Sequence, residues 1–194
     1  MPSHTIYFLR HGQTDWNAEL RLQGQKDIPL NETGRGQARQ NGRALAQLLD
    51  DPQRFRYIAS PLGRTRETMN LVRLELGLPS HGYETDDRIK EISFGHWEGY
   101  TVDEMREIDA EGVARREADK FVFQPPQGES YEQLLTRVAS WLPYVTEDAV
   151  VVCHGGVLRV LEMILNDTPA ADIMQVFMHQ DKIYQWDGAA ARWL

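Results

Sequence analysis

The run Ala149-Val150-Val151-Val152-Cys153 is the most strand-like in the chain, and it passes directly into His154-Gly155-Gly156 and a helix-period segment ending near Leu165. A β-branched run that hands over to a helix is the repeating unit of α/β folds. The same alternation recurs along the sequence. Thr5-Ile6-Tyr7-Phe8-Leu9 is a short apolar run that reads as a buried strand. Asn31 caps a predicted helix over 32–49, with Leu45, Leu48 and Leu49 on its apolar face and Asp51-Pro52 as its stop. Tyr57-Ile58-Ala59 predicts a second strand and Ser60-Pro61-Leu62-Gly63 a turn. A helix over about 64–76 follows, ended by Gly77 and Pro79. Residues 82–92 are expected to be extended. Ser130 and Gln133 make a capping box for a helix reaching about Tyr144. Lys182-Ile183-Tyr184-Gln185-Trp186 predicts the last strand, at an edge. Together these elements predict a three-layer α/β/α sandwich with a mainly parallel sheet.

Residues 101–120 are strongly charged but keep helical spacing at Val102, Met105 and Ile108, and Gln124-Pro125-Pro126-Gln127-Gly128 is a hinge-like break. So short a stretch has no core of its own. Residues 101–128 are therefore expected to be a lid or small helical insertion on a single domain spanning 1–194. A chain of 194 residues suits one domain and buries roughly 70% of its unfolded surface. No apolar run nears the ~20 residues of a membrane-spanning helix. The N-terminus lacks a basic, signal-like segment, so a cytoplasmic location is expected. The single cysteine, Cys153, excludes an internal disulfide and a multi-cysteine metal site.

The net charge of −8 argues against nucleic-acid or anionic-membrane partners. It leaves room for a small anionic ligand, because local charge decides a pocket. The 21 basic residues include only four lysines, Lys26, Lys90, Lys120 and Lys182. Arginine's planar fork suits phosphate and carboxylate. In an open parallel sheet, ligands bind at the carboxyl ends of the strands. Arg10 and His11 follow the first strand, Ser60 and Arg64 the second, and His154 and Gly155 the strong late strand; Glu91 follows the extended segment. Two guanidiniums supply forked donors to a transferring phosphoryl group. A neutral imidazole is a nucleophile near pH 7. A carboxylic acid protonates a departing alkoxide. Nothing in that scheme requires a metal or another cofactor.

Arg10-His11-Gly12-Gln13-Thr14-Asp15-Trp16-Asn17 resembles the Arg-His-Gly signature of the histidine phosphatase superfamily, in its cofactor-dependent phosphoglycerate mutase-like branch. The likeness continues in order through Arg21-Leu22-Gln23-Gly24, Pro29-Leu30-Asn31-Glu32-Thr33-Gly34, Ser60-Pro61-Leu62-Gly63-Arg64-Thr65, the block from Glu91 to Gly99, Gly128-Glu129-Ser130 and Val152-Cys153-His154-Gly155-Gly156. The resemblance implies a phosphoglycerate mutase-like fold. It implies that His11 is the nucleophile that becomes phosphohistidine and that Arg10, Arg64 and His154 complete the catalytic phosphate pocket. Asn17 and Gly155 would add phosphate contacts, Gln23 and Gly24 substrate contacts, and Glu91 the proton donor. The expected activity is hydrolysis of a small phosphomonoester metabolite of the histidine acid phosphatase type, by a monomer or homodimer. With His11 neutral and Glu91 protonated, the rate is expected to peak on the acid side of neutrality.

The alternatives are a phosphoglycerate mutase and a non-catalytic phospholigand binder of the same fold. Mutases of the family are longer, with a larger insertion and a C-terminal tail, and Pro125-Pro126-Gln127-Gly128-Glu129-Ser130 resembles the phosphatase subgroup, so hydrolysis is preferred. A binder would be expected to lack His11 or Glu91. A cysteine phosphatase is a further rival, because Cys153-His154-Gly155-Gly156-Val157-Leu158-Arg159 fits C-x-x-G-x-x-R. It leaves Arg10, His11 and Arg64 unexplained. Arg115, Arg116 and Lys120 read most simply as a solvated helix face, and alternatively as holders of a second anion. Phe94, Trp97, Tyr100, Phe121 and Phe123 either line a leaving-group pocket or pack the insertion. His4, His81 and His179 read as surface or edge residues, and His96 as adjacent to the site without a role in it.

Overall fold

The computed structural model describes residues 1–194. The strands are β1 (Ile6–Arg10), β2 (Arg56–Ala59), β3 (Glu84–Thr85), β4 (Ala149–Cys153), β5 (Ile183–Trp186) and β6 (Ala191–Trp193), in the spatial order β3-β2-β4-β1-β5-β6. β3, β2, β4 and β1 run parallel; β5 is antiparallel to β1, and β6 is antiparallel to β5. Alternation along β1 divides the core. Ile6 and Phe8 face one side with Ile58, Val151 and Cys153, under α6 (Tyr131–Trp141) and α7 (Gly155–Asn166). Tyr7 and Leu9 face the other with Tyr57, Val150 and Val152, under α2 (Glu32–Leu48) and α3 (Gly63–Glu75). β4 and the Ile6–Leu9 stretch of β1 are thus apolar at every position because both faces are covered. The three-layer architecture with a mainly parallel sheet is as expected.

Local chemistry sets the element ends. Asn31 accepts from the Gly34 amide at 2.9 Å, and Ser130 with Gln133 forms the capping box of α6. Two further short helices, α1 (Asp15–Ala18) and α8 (Ala170–Ile173), have no counterpart in the sequence reading. The charged segment forms two helices, α4 (Val102–Ile108) and α5 (Ala110–Ala118). Asp109 separates them: its backbone ends α4 and its carboxylate accepts from Gly112 at 2.9 Å to start α5. Val113 and Met105 pack with Trp97 in a small separate core. No helix is long and apolar enough to cross a membrane.

Several expectations need correction. The strand over 183–186 is neither last nor at an edge, because β6 folds back beside it. Residues 82–92 are extended only at Glu84–Thr85, since the Asp86 carboxylate caps a 3-10 turn at Asp87–Ile89. The helix from Ser130 stops at Trp141 and tightens into a 3-10 turn over Leu142–Tyr144, where Pro143 has no amide hydrogen to continue the ladder. Leu45 and Leu49 are buried, but Leu48 is exposed, as is Ile108.

Gly12 shows how tightly the first loop is packed. A Cβ there overlaps the carbonyl oxygen of Gly34 and comes within 2.7 Å of its carbon, so the start of α2 rests directly on the backbone after β1. Because the obstacle is backbone, Gly12→Ala is expected to destabilise the protein by about 1–3 kcal/mol, read as a lower midpoint in urea unfolding.

Candidate active site

Strand register builds the site. Arg10 of β1 pairs with Cys153 of β4, and Ala59 of β2 pairs with Val152. The ladder then runs one step further: His11 donates its amide to Cys153 and Ser60 to Val152, both at 3.0 Å. His11, His154 and Ser60 therefore emerge level at the carboxyl edge of the sheet. The imidazoles of His11 and His154 meet edge to face with centroids 5.2 Å apart.

The hydrogen bonds fix the His11 tautomer. Its Nδ1 lies 2.8 Å from the carbonyl oxygen of Gly12, which can only accept. Nδ1 therefore carries the proton and Nε2 the lone pair. Arg64 Nε donates to that Nε2 at 3.3 Å. The other two Arg64 nitrogens each donate one hydrogen to a carbonyl, of Lys26 and of Gly24, both at 2.7 Å, which fixes the plane of the guanidinium. Burial first, then Arg64 and Arg10, hold the His11 pKa well below 6.5. Burial, Arg64 and His11 do the same for His154. Burial also pushes Arg10 down to about 10.

A cavity of about 180 Å³ opens beside these groups. Of the residues assigned from sequence, Arg10, His11, Asn17, Gln23, Gly24, Arg64, Glu91 and Gly155 all line it. His154 lies one layer deeper, fully buried, with Nε2 2.7 Å from the Ser60 hydroxyl. Glu91 sits at the N-terminus of α7: its Oε1 accepts from Ile92 at 2.9 Å and from Gly156 at 3.0 Å. A Cβ at Gly156 would overlap that oxygen, so only glycine admits the carboxylate there. Oε2 has a single, longer contact with Gly156, at 3.2 Å.

Buried donors without partners mark what the cavity accepts. Arg10 Nε, Gln23 Nε2, His154 Nδ1 and Arg159 Nε are buried and unpaired; the one other such side-chain atom in the molecule is His4 Nε2. Buried polar groups are nearly always satisfied, so four orphans at one site point to an oxygen-rich anion. The cavity wall also carries six cations, Arg10, Arg21, Arg64, Arg116, Lys120 and Arg159, against one carboxylate, Glu91. No three His, Cys, Asp or Glu side chains converge as metal ligands do.

Sequence reasoning missed part of this wall. Arg116 and Lys120 line the cavity and only Arg115 is exposed, which corrects the solvated-face reading. Arg159 lies three and four residues beyond Gly156 and Gly155, on the same helix face, and that spacing was legible. The sequence places Ser60 at the strand end, but its contact with His154 arises only in the fold. Of the aromatics only Phe94 reaches the cavity, joined there by Tyr131. Trp97 and Phe123 pack on each other, Phe121 packs on the main core, and Tyr100 is exposed. His96 is exposed outside the cavity. Cys153 is fully buried, and burial followed by Glu91 pushes its thiol far up, which removes the cysteine-phosphatase reading.

Comparison with known proteins agrees with this geometry. The family model of the histidine phosphatase superfamily (branch 1) matches residues 6–193, and the chain belongs to that family. A probable phosphoglycerate mutase, GpmB, of Salmonella arizonae is 31% identical over 97% of this chain and 87% of its own. The solved structure of YhfR from Bacillus stearothermophilus superposes with a TM-score of 0.81 at 30% identity, covering 97% of this chain and 94% of that one. A mycobacterial glucosyl-3-phosphoglycerate phosphatase, solved with VO3, gives a TM-score of 0.75 at 29% identity over 98% and 96% of the two chains. The fold is thus the phosphoglycerate mutase-like one, and the family and its neighbours support a phosphatase or mutase enzyme.

The two buried imidazoles make stability depend on pH. Their folded pKa values lie below 6.5, so the unfolded state takes up protons first as pH falls, and stability present above that value is lost below it. Thermal unfolding between pH 7.5 and 4.5 should show a falling midpoint, with a flatter dependence in a His11→Gln, His154→Gln variant. Parallel curves for the two proteins would contradict the burial of neutral imidazoles.

Proposed function

We propose that the protein is a metal-independent phosphomonoesterase of the histidine acid phosphatase type that works through a phosphohistidine on His11. The observation that carries the reading is the tautomer lock: Gly12 turns the Nε2 lone pair of His11 toward Arg64 and the cavity. In the first half-reaction Nε2 attacks phosphorus, the P–Nε2 bond forms and the ester P–O bond breaks. The departing oxygen takes a proton from Glu91. Oε2 is the less engaged oxygen for that transfer, with one contact at 3.2 Å where Oε1 accepts from two backbone amides. Water then attacks phosphorus and gives a proton back to Glu91, the P–N bond breaks, and its electron pair returns to Nε2.

The charge of the transferring group is met by the unpartnered Arg10 Nε, Gln23 Nε2 and His154 Nδ1 and by Arg64 Nε, whose N–H is released when His11 Nε2 bonds phosphorus; the positive end of α7 adds to them at Gly155. For His154 to donate from Nδ1, its Nε2 must accept, so the Ser60 hydroxyl donates to it and fixes the productive tautomer. Asn17 accepts from Gln180 at 3.1 Å and donates to Gln23 at 3.2 Å, which orients the Gln23 amide. We read 101–128 as the lid of a single domain, since α5 brings Arg116 over the cavity.

The name of the Salmonella relative favours a mutase, and that of the mycobacterial neighbour a phosphatase. The chemistry on His11 is common to both, and the fate of the phosphoenzyme separates them: phosphate release from 3-phosphoglycerate outpacing its conversion to the 2-isomer supports hydrolysis, and the reverse supports a mutase.

Two measurements check the roles. Rapid quench is expected to trap an acid-labile, base-stable phosphoenzyme that is absent from His11→Ala. Glu91→Gln is expected to slow an alkyl phosphate by about 10²–10⁴-fold, the usual yield of a general acid. It should slow p-nitrophenyl phosphate much less, because nitrophenolate leaves without a proton. Equal losses on both esters would remove Glu91 as the acid.

A further inference from the structure

Glu91 belongs to no strand or helix: it falls between the 3-10 turns at Asp87–Ile89 and Gly95–Trp97. A side chain on such a segment is placed only as well as its backbone is held. Much of that hold comes from one residue of α6, Arg137, whose guanidinium has all five of its N–H groups engaged. Nη1 donates to the carbonyls of Arg88 at 2.8 Å and Lys90 at 2.9 Å. Nη2 donates to the Glu91 carbonyl at 3.3 Å and to Glu129 Oε2 at 2.9 Å, and Nε donates to Glu129 Oε1 at 3.1 Å.

Glu129 completes the grip from the other side. Its amide donates to the Ser93 carbonyl at 2.8 Å, and its Oε2 accepts from the Ser93 amide at 3.0 Å. Arg137 therefore holds the chain up to Glu91 and Glu129 holds it just beyond. The two holders are joined by a forked, partly buried ion pair. Gln25 Nε2 adds a third hold, donating to the Glu91 carbonyl at 3.0 Å. Neither Arg137 nor Glu129 lines the cavity. Lysine could not replace the arginine, because three donors on one point cannot span a carboxylate and three carbonyls.

We propose that Arg137, oriented by Glu129, is a positioning residue for proton transfer: it sets the Glu91 carboxyl against the departing oxygen without touching substrate. The proposal rests on the reading of Glu91 as the acid. The proton still passes from Glu91 to the ester oxygen as the P–O bond breaks, and Arg137 itself gives up none. A displaced acid then penalises only those leaving groups that need a proton.

The test measures steady-state kinetics on ethyl phosphate and p-nitrophenyl phosphate for the wild type, Arg137→Lys, Glu129→Gln and Glu91→Gln, each checked for folding by circular dichroism. Arg137→Lys is expected to lower kcat/KM for ethyl phosphate by roughly ten- to a hundredfold, the cost of a misplacement on the order of 1 Å, and that for p-nitrophenyl phosphate much less. Glu129→Gln should act in the same direction, and it carries the comparison alone if Arg137→Lys does not fold. Added to Glu91→Gln, Arg137→Lys should slow the two esters equally, because the group it acts through is gone. Equal losses on both esters in the single variants overturn the proposal, since they assign Arg137 to the fold. A selective loss on ethyl phosphate that persists in the Glu91→Gln background overturns it too. Discrimination between the esters in Glu91→Gln, but in neither Arg137→Lys nor Glu129→Gln, sinks the positioning role and leaves the acid standing. Equal slowing of both esters by Glu91→Gln sinks the acid reading and the proposal with it.

Discussion

Arg64 is fully buried and forms no ion pair, although Glu91, Asp27 and Glu98 lie near enough to favour its charge. Its charge is held by two loop carbonyls and by the lone pair of His11. A guanidinium in that position is tolerable only because its hydrogen bonds are short and directed, and much else follows from holding it there. The loop carrying Gly24 and Lys26 must fold back over α3 to supply the carbonyls. Burial and the same field keep the imidazole it touches neutral. On the proposed reading, a His11 that is a poor base for protons keeps its lone pair available to phosphorus at a pH where an exposed imidazole is half protonated.

The register of the parallel strands does the rest of the positioning. The aligned ends of β1, β2 and β4 bring residues far apart in sequence to one edge without a dedicated scaffold. Preorganisation is inexpensive when it is a by-product of a sheet the core already requires. The contributions from outside the sheet are less rigidly given. Glu91 depends on a glycine in α7 to reach its place, and the cations of the outer wall depend on loop carbonyls over 174–178.

That difference explains what was legible in the sequence. The strands, α2, α3, α6 and α7 announce themselves through apolar runs, an asparagine cap, a capping box and glycine stops, and the strand ends then single out Arg10, His11, Arg64 and His154. The short strand β6 and the helices α1 and α8 carry too few residues for a periodic signal, and β5 reads as an edge because its partner leaves no mark in the sequence. Asp109 hid the break between α4 and α5, since an acidic residue in a charged helical stretch looks ordinary until its carboxylate is seen capping Gly112. The places of Arg116, Lys120 and Ser60 depend on what they meet across the fold, and no local pattern encodes that.

The position of Cys153 has one more consequence. Its sulfur is sealed between the sheet and the helices, one residue from the reactive edge, and its ionisation is strongly disfavoured. Peroxides and thiol-alkylating reagents act on accessible thiolates. With imidazole as the proposed nucleophile and sulfur serving as packing, the reactive edge of the sheet presents no accessible thiolate to an oxidant.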